Sequence, residues 1–123
     1  MNIHRIGPSK YSPTRSRIIV REGVATTVAT ASVKSPSLYE QSQDALANID
    51  RHLAEVGADK SSVLMVMIYI TDISKKSEFN RAWDEWVDRE NLPLRACIGA
   101  DLEESDLVEL IVTADVTEEG KFS

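Results

Sequence analysis

The stretch Val63-Leu64-Met65-Val66-Met67-Ile68-Tyr69-Ile70 is apolar without interruption. It is the length of a strand, and it has no polar residue at every second position. A strand of that kind is covered on both faces and lies inside a sheet. The rest of the chain must therefore supply, or find, two covering layers.

Two helices are predicted. Ser35-Pro36-Ser37 opens the first, and Ser37 with Glu40 fits a capping box. Ser42, Ala45, Leu46, Ile49, Leu53 and Val56 then form one apolar stripe, opposite Gln43, Asp44, Asp50, Arg51 and Glu55. Gly57 stands where a helix terminator is expected. The second helix follows Thr71-Asp72-Ile73-Ser74, with Asp72 or Ser74 as its cap. Its stripe is Phe79, Trp83, Trp86 and Val87, and the tryptophans read as core packing.

Strands are predicted at Arg17–Arg21 and Val24–Val33, joined at Glu22-Gly23 as a hairpin. Two more run through Leu94–Gly99 and Leu107–Thr113, on either side of the acidic turn Asp101–Asp106. The order is β-β-α-β-α-β-β, an α+β fold with both helices on one face of the sheet. Two helices cover only one face of such a sheet. The other is expected to meet a further copy of the chain in a closed homo-oligomer, with sites at subunit boundaries.

The 123 residues suit a single domain spanning 1–123. Residues 1–16 read as an exposed or intersubunit arm. From Met1 to Arg21 there are five basic residues, no acid and no apolar signal core, so secretion is not expected. A net charge of −6 speaks against a nucleic-acid partner. No apolar run approaches the ~18 residues of a membrane span. A single cysteine, Cys97, allows no internal disulfide and fits a reducing, cytoplasmic setting. His4 and His52 lie far apart without metal-ligand spacing, so a zinc site is not expected.

Two apolar strands each carry one charge, Arg95 and Glu109. A charge there is costly unless paired or used. Alternation groups Arg95 with Cys97 and Gly99, and Glu109 with Leu107, Ile111 and Thr113. If those faces coincide in one sheet, arginine and carboxylate stand at one surface. They would form either a structural ion pair or a site.

The segments Tyr39–Asp50, Val66–Asp72, Phe79–Trp83 and Pro93-Leu94-Arg95-Ala96-Cys97 resemble the RidA/YjgF family of reactive-intermediate deaminases. Ala82–Val87 is most similar to its YoaB-like branch. The resemblance spans about Val24 to Val116. It implies a chorismate-mutase-like mixed sheet assembled as a homotrimer with clefts between subunits. It also implies hydrolysis of enamines and imines such as 2-aminoacrylate to 2-keto acids and ammonia, without a cofactor. The alternative is a trimeric binder of small carboxylates on the same scaffold. By the same resemblance Arg95 holds the substrate carboxylate and Glu109 orients or activates water. Cys97 lines the cleft, and Asn80 matches an asparagine of the second helix, as a substrate-binding or a structural residue; backbone groups near Cys97 and Ile98 can complete the site. The types fit: a guanidinium binds a carboxylate bidentately, and a carboxylate can order a water and carry its proton. Cys97 has no histidine placed to activate it, so it reads as lining. The family's Ser-Gly pair after the second strand falls here on Val28-Ala29 or Thr30-Ala31. Its N-terminal aromatic-Ser falls on Tyr11-Ser12 or Arg15-Ser16.

Overall fold

The computed structural model describes residues 2–10 and 12–116; the polar tail around Glu118–Lys121 lies outside them. Six strands and two α-helices follow in the order β1 (Ile3–Ile6), β2 (Ile18–Arg21), β3 (Val24–Thr30), α1 (Leu38–Glu55), β4 (Val63–Ile70), α2 (Lys76–Trp86), β5 (Leu94–Gly99) and β6 (Val108–Asp115). The strands form one sheet ordered β1-β2-β3-β6-β4-β5. Only β4 and β5 run parallel, because α2 carries the chain between them; the other neighbours are antiparallel. The mixed α+β sheet with two helices is the expected architecture with one strand more. Part of the presumed arm is that strand: Ile3–Ile6 pairs with β2, Ile3 opposite Arg21 and Ile6 opposite Ile18.

Local chemistry sets the turns. Glu22 and Gly23 both take positive φ, 51° and 77°, as a two-residue hairpin loop matched to strand twist requires. β3 ends at Thr30, earlier than the composition suggests, because α1 side chains capture its continuation. Asn48 Nδ2 donates to Thr30 O at 2.8 Å, and Val33 N donates to the Asp44 carboxylate at 2.7 Å. Ser37 caps α1, its Oγ accepting from Glu40 N at 3.1 Å. The Glu40 carboxylate accepts from Ser35 Oγ at 2.7 Å, so the capping box is only half formed. At the other end Gly57 N reaches Ala54 O and Ala58 N reaches Leu53 O, with Gly57 at φ 73°, the Schellman arrangement. Asp72 caps the short 3-10 turn that precedes α2, accepting from Ser74 N at 3.0 Å.

The α1 stripe from Ser42 to Val56 is buried as expected, and Gln41 is buried with it. Phe79, Ala82, Trp83 and Trp86 of α2 join it over Ala29, Val66, Ile68, Ile70, Val108, Leu110 and Val112. Trp86 also donates Nε1–H to Asp50 at 3.0 Å, tying the helices together. β4 is thus covered by the helices on one face only. Met65, Met67 and Tyr69 point to the other, where they align with Thr113, Ile111 and Glu109 of β6 and with Leu94, Ala96 and Ile98 of β5. Within one chain that face is open, and Leu94 is 72% exposed upon it.

Candidate functional site

Arg95 and Cys97 lie opposite Val66 and Ile68 in the parallel pair. Both partners are fully buried under the helices. Arg95 and Cys97 therefore belong to the helix side of the sheet, at the outer edge of β5 and below α2. One turn of α2 receives the guanidinium. Asn80 Oδ1 accepts from Arg95 Nη2 at 2.6 Å, and the guanidinium carbon stands 5.6 Å from the Phe79 ring centre and 5.2 Å from that of Trp83. Aromatic faces attract a cation, so the head is held in place before any ligand arrives. Cys97 is half-buried, and burial pushes its thiol above the usual value against the opposing pull of Lys76 and Arg95. A thiol kept protonated is a poor nucleophile, so Cys97 lines this edge.

Glu109 lies elsewhere. It is paired with Thr30 of β3 and Tyr69 of β4, and Tyr69 with Ile98 of β5. Thr30, Glu109, Tyr69 and Ile98 make one row across the open face. At the Glu109 end lies a cleft of ≈ 640 Å³, lined by Ser9, Ser12, Arg15, Ser16, Arg17, Val28, Ala29, Thr30, Asp101, Leu102, Glu103, Asp106 and Glu109. Its acidic wall is fixed from below by Gln41. The buried amide donates to Ser35 O at 2.7 Å and Ser105 O at 2.9 Å and accepts from Leu107 N at 3.0 Å. Two wall charges are neutralised: Arg17 pairs with Glu55 at 2.6 Å and Asp106 with Lys34 at 2.5 Å.

The five residues singled out from sequence thus divide into two sets. Arg95, Cys97 and Asn80 gather on the helix side of the sheet edge. Glu109 and the Ile98 side chain occupy the opposite face. The condition that the Arg95 and Glu109 faces coincide is not met: β4 separates the two strands, and the pairing parity sends the charges to opposite sides. The cleft residues Arg15, Asp101 and Glu103 were not read as site residues from the sequence. The signal for the N-terminal ones was present in the ambiguous register there, since Ser12, Arg15 and Ser16 all line the cleft; so do Val28, Ala29 and Thr30. Among the described residues no group of three His, Cys, Asp or Glu side chains is arranged to hold a metal ion. Nor is any helix long and apolar enough to cross a membrane.

A family model described as endoribonuclease L-PSP matches residues 9–116. A RutC family protein of Haemophilus ducreyi is 42% identical over 84 residues, covering 68% of this chain and 72% of its own. The RutC family protein YoaB of Escherichia coli is 38% identical over 64 residues, 52% of this chain and 56% of its own. The crystal structure of NMB1025 from Neisseria meningitidis, a YjgF family member, superposes with a TM-score of 0.88 at 33% identity, over 96% of this chain and 98% of that one. The order of elements, the sheet and these likenesses agree, and the chain belongs to the endoribonuclease L-PSP, or YjgF/RidA, family.

Proposed function

We propose that the chain hydrolyses 2-imino acids and their enamine tautomers to 2-keto acids and ammonia, at a site completed between two subunits of a homotrimer. The observation that supports this reading is a guanidinium, Arg95, and a carboxylate, Glu109, held on opposite faces of one sheet, the first to serve as carboxylate anchor and the second to orient water. Each is half of a site, and a neighbouring copy packed on the open apolar face can bring the Arg95 edge to the Glu109 cleft. With one Nη2 bond given to Asn80, the remaining guanidinium N–H groups stay available for a substrate carboxylate. Glu109 takes a proton from water as its oxygen adds to the imine carbon. Glu109 passes that proton to the nitrogen to give the carbinolamine, whose hydroxyl proton moves to the nitrogen as the C–N bond breaks, so ammonia leaves, the keto group remains and Glu109 is again ionised. The imine is already electrophilic, so positioning and a proton shuttle from water to nitrogen suffice.

The test follows disappearance of an imine generated by an amino-acid oxidase or a serine dehydratase. Wild type should accelerate it, and Arg95→Ala and Glu109→Gln should each remove most of the acceleration with the oligomer intact. Undiminished activity in Arg95→Ala would overturn the assignment. The pre-set Arg95 head also suits a second reading, a carboxylate-binding protein. In that case no acceleration is seen, while carboxylates stabilise wild type and Glu109→Gln but not Arg95→Ala.

A further inference from the structure

The Arg95 edge holds a second cation that the chemistry above does not use. α2 runs back along β5. Ile73, just before α2, lies at the Gly99 end, where a Cβ added to Gly99 would stand 3.5 Å from Ile73 Cβ. Asn80 lies at the Arg95 end, bonded to it. Lys76 opens α2 between these two points, one turn before Asn80 and so about 6 Å along the helix axis. On the strand, Cys97 is about 7 Å beyond Arg95 on the same side of the sheet. The two ladders match in pitch, so Lys76 stands to Cys97 as Asn80 stands to Arg95. The perturbation of the Cys97 thiol agrees: after burial, Lys76 acts on it more strongly than Arg95 does. Lys76 is exposed, and no hydrogen bond or ion pair among the described residues engages its ammonium. The edge therefore presents two cations about one helical turn apart, with the small residue Cys97 beside the second, Gly99 beyond it, and no acid of its own strand.

The geometry points to Lys76 as a specificity-determining residue that selects 2-imino acids carrying a second carboxylate on the side chain. This rests on the proposed imine-hydrolase reading and names its substrate class. Arg95 takes the carboxylate beside the imine carbon, and the side-chain carboxylate lies along the edge toward Lys76. The acidic wall of the Glu109 cleft, where no salt bridge among the described residues neutralises Asp101 or Glu103, repels the second carboxylate and reinforces that orientation. The reaction is unchanged. Water adds across the C=N bond, the C–N bond breaks, ammonia leaves, and a 2-oxo dicarboxylate forms. The class of reaction that must supply such a substrate is oxidation of an acidic amino acid at its α-carbon.

The experiment compares imines made by oxidases from glutamate and from 2-aminobutyrate, with wild type, Lys76→Gln, Lys76→Arg and Arg95→Ala. Wild type should favour the glutamate-derived imine. Lys76→Gln should lower kcat/KM for it by about tenfold, the scale of one charge-assisted hydrogen bond, and leave the other within about twofold. Lys76→Arg should restore the preference. Equal loss on both imines, no loss on either, or a wild-type preference for the uncharged side chain would overturn the inference. So would dissociation of the Lys76→Gln oligomer at unchanged preference, which would make Lys76 an intersubunit salt-bridge partner of the acidic wall. If wild type hydrolyses neither imine, the hydrolase reading fails, and thermal stabilisation by 2-oxoglutarate against 2-oxobutanoate decides the role of Lys76 separately. A 2-oxoglutarate preference lost in Lys76→Gln supports it, and its absence refutes it.

Discussion

The opposite placement of Arg95 and Glu109 makes a quantitative prediction about mixed oligomers. Arg95→Ala removes charge-assisted hydrogen bonds to the substrate worth about 3 kcal/mol, so alone it should leave about 1% of the activity. Glu109→Gln removes the proton acceptor and should fall to a similar floor, since positioned general bases contribute roughly 10²-fold or more. Now let the two variants be unfolded together in equal amounts and refolded. Under the proposed function, each site takes its arginine half from one subunit and its carboxylate half from the next. Either half is intact with even odds, so about a quarter of the sites in any closed ring are whole. The mixture should therefore show about a quarter of wild-type activity, far above either parent. If one subunit supplied both halves, every site would carry one lesion and the mixture would stay at the floor. Imine consumption by the mixture, with subunit exchange verified by native mass spectrometry, decides between them. Exchange at floor activity would refute the cross-subunit site.

Other expectations concern the supports of the site. Gln41→Ala should destabilise by about 3 kcal/mol in chemical denaturation at fixed protein concentration, because three buried bonds to Ser35, Ser105 and Leu107 are lost. It should also lower activity by loosening the acidic wall. Ser42→Ala should stabilise by about 1 kcal/mol in the same assay, since the Ser42 hydroxyl is buried with no partner among the described residues and alanine favours the helix. His52 donates Nδ1–H to Thr27 Oγ1 at 2.8 Å, since that hydroxyl donates its own proton to Arg17 O at 2.9 Å. Burial first, then Arg17, holds the imidazole below its ordinary value, with Glu55 opposing. The unfolded chain then binds the proton more readily, so this contribution is present above about pH 6.5 and is lost as pH falls through the depressed value. Urea midpoints across that range should drop more for wild type than for His52→Gln. Cys97→Ala should retain activity within a few-fold, and iodoacetamide should react with Cys97 more slowly than with a free thiol.

The elements were legible because each helix repeats its apolar residues at helical spacing and the first is bounded by recognisable caps, Ser37 and Gly57. β1 was not, since Ile-His-Arg-Ile carries no alternation that would mark it, and only pairing with β2 makes it a strand. The site was half legible for a deeper reason. Periodicity says which residues of a strand share a face, but not which face meets the helices. On β6 the ordinary rule works: Val108, Leu110, Val112 and Ala114 go under the helices, and Glu109 goes out. On β5 it inverts. Leu94, Ala96 and Ile98 face away from the helices, while Arg95 sits beneath α2. A strand that exposes its apolar side and shelters its charge is unfavourable in an isolated chain. It becomes favourable when a second copy covers Leu94 and Ile98 and a ligand or the aromatic rings occupy the guanidinium. Under the proposed function, the inversion on β5 joins assembly to substrate binding. A charge placed at Ala96, as in Ala96→Glu, should abolish both the oligomer and activity while leaving the monomer fold intact by circular dichroism, because Ala96 lies opposite Met67 on the open face of the edge strand, the side away from the helices. Retention of the oligomer by that variant would mean that the open face is not where the copies meet.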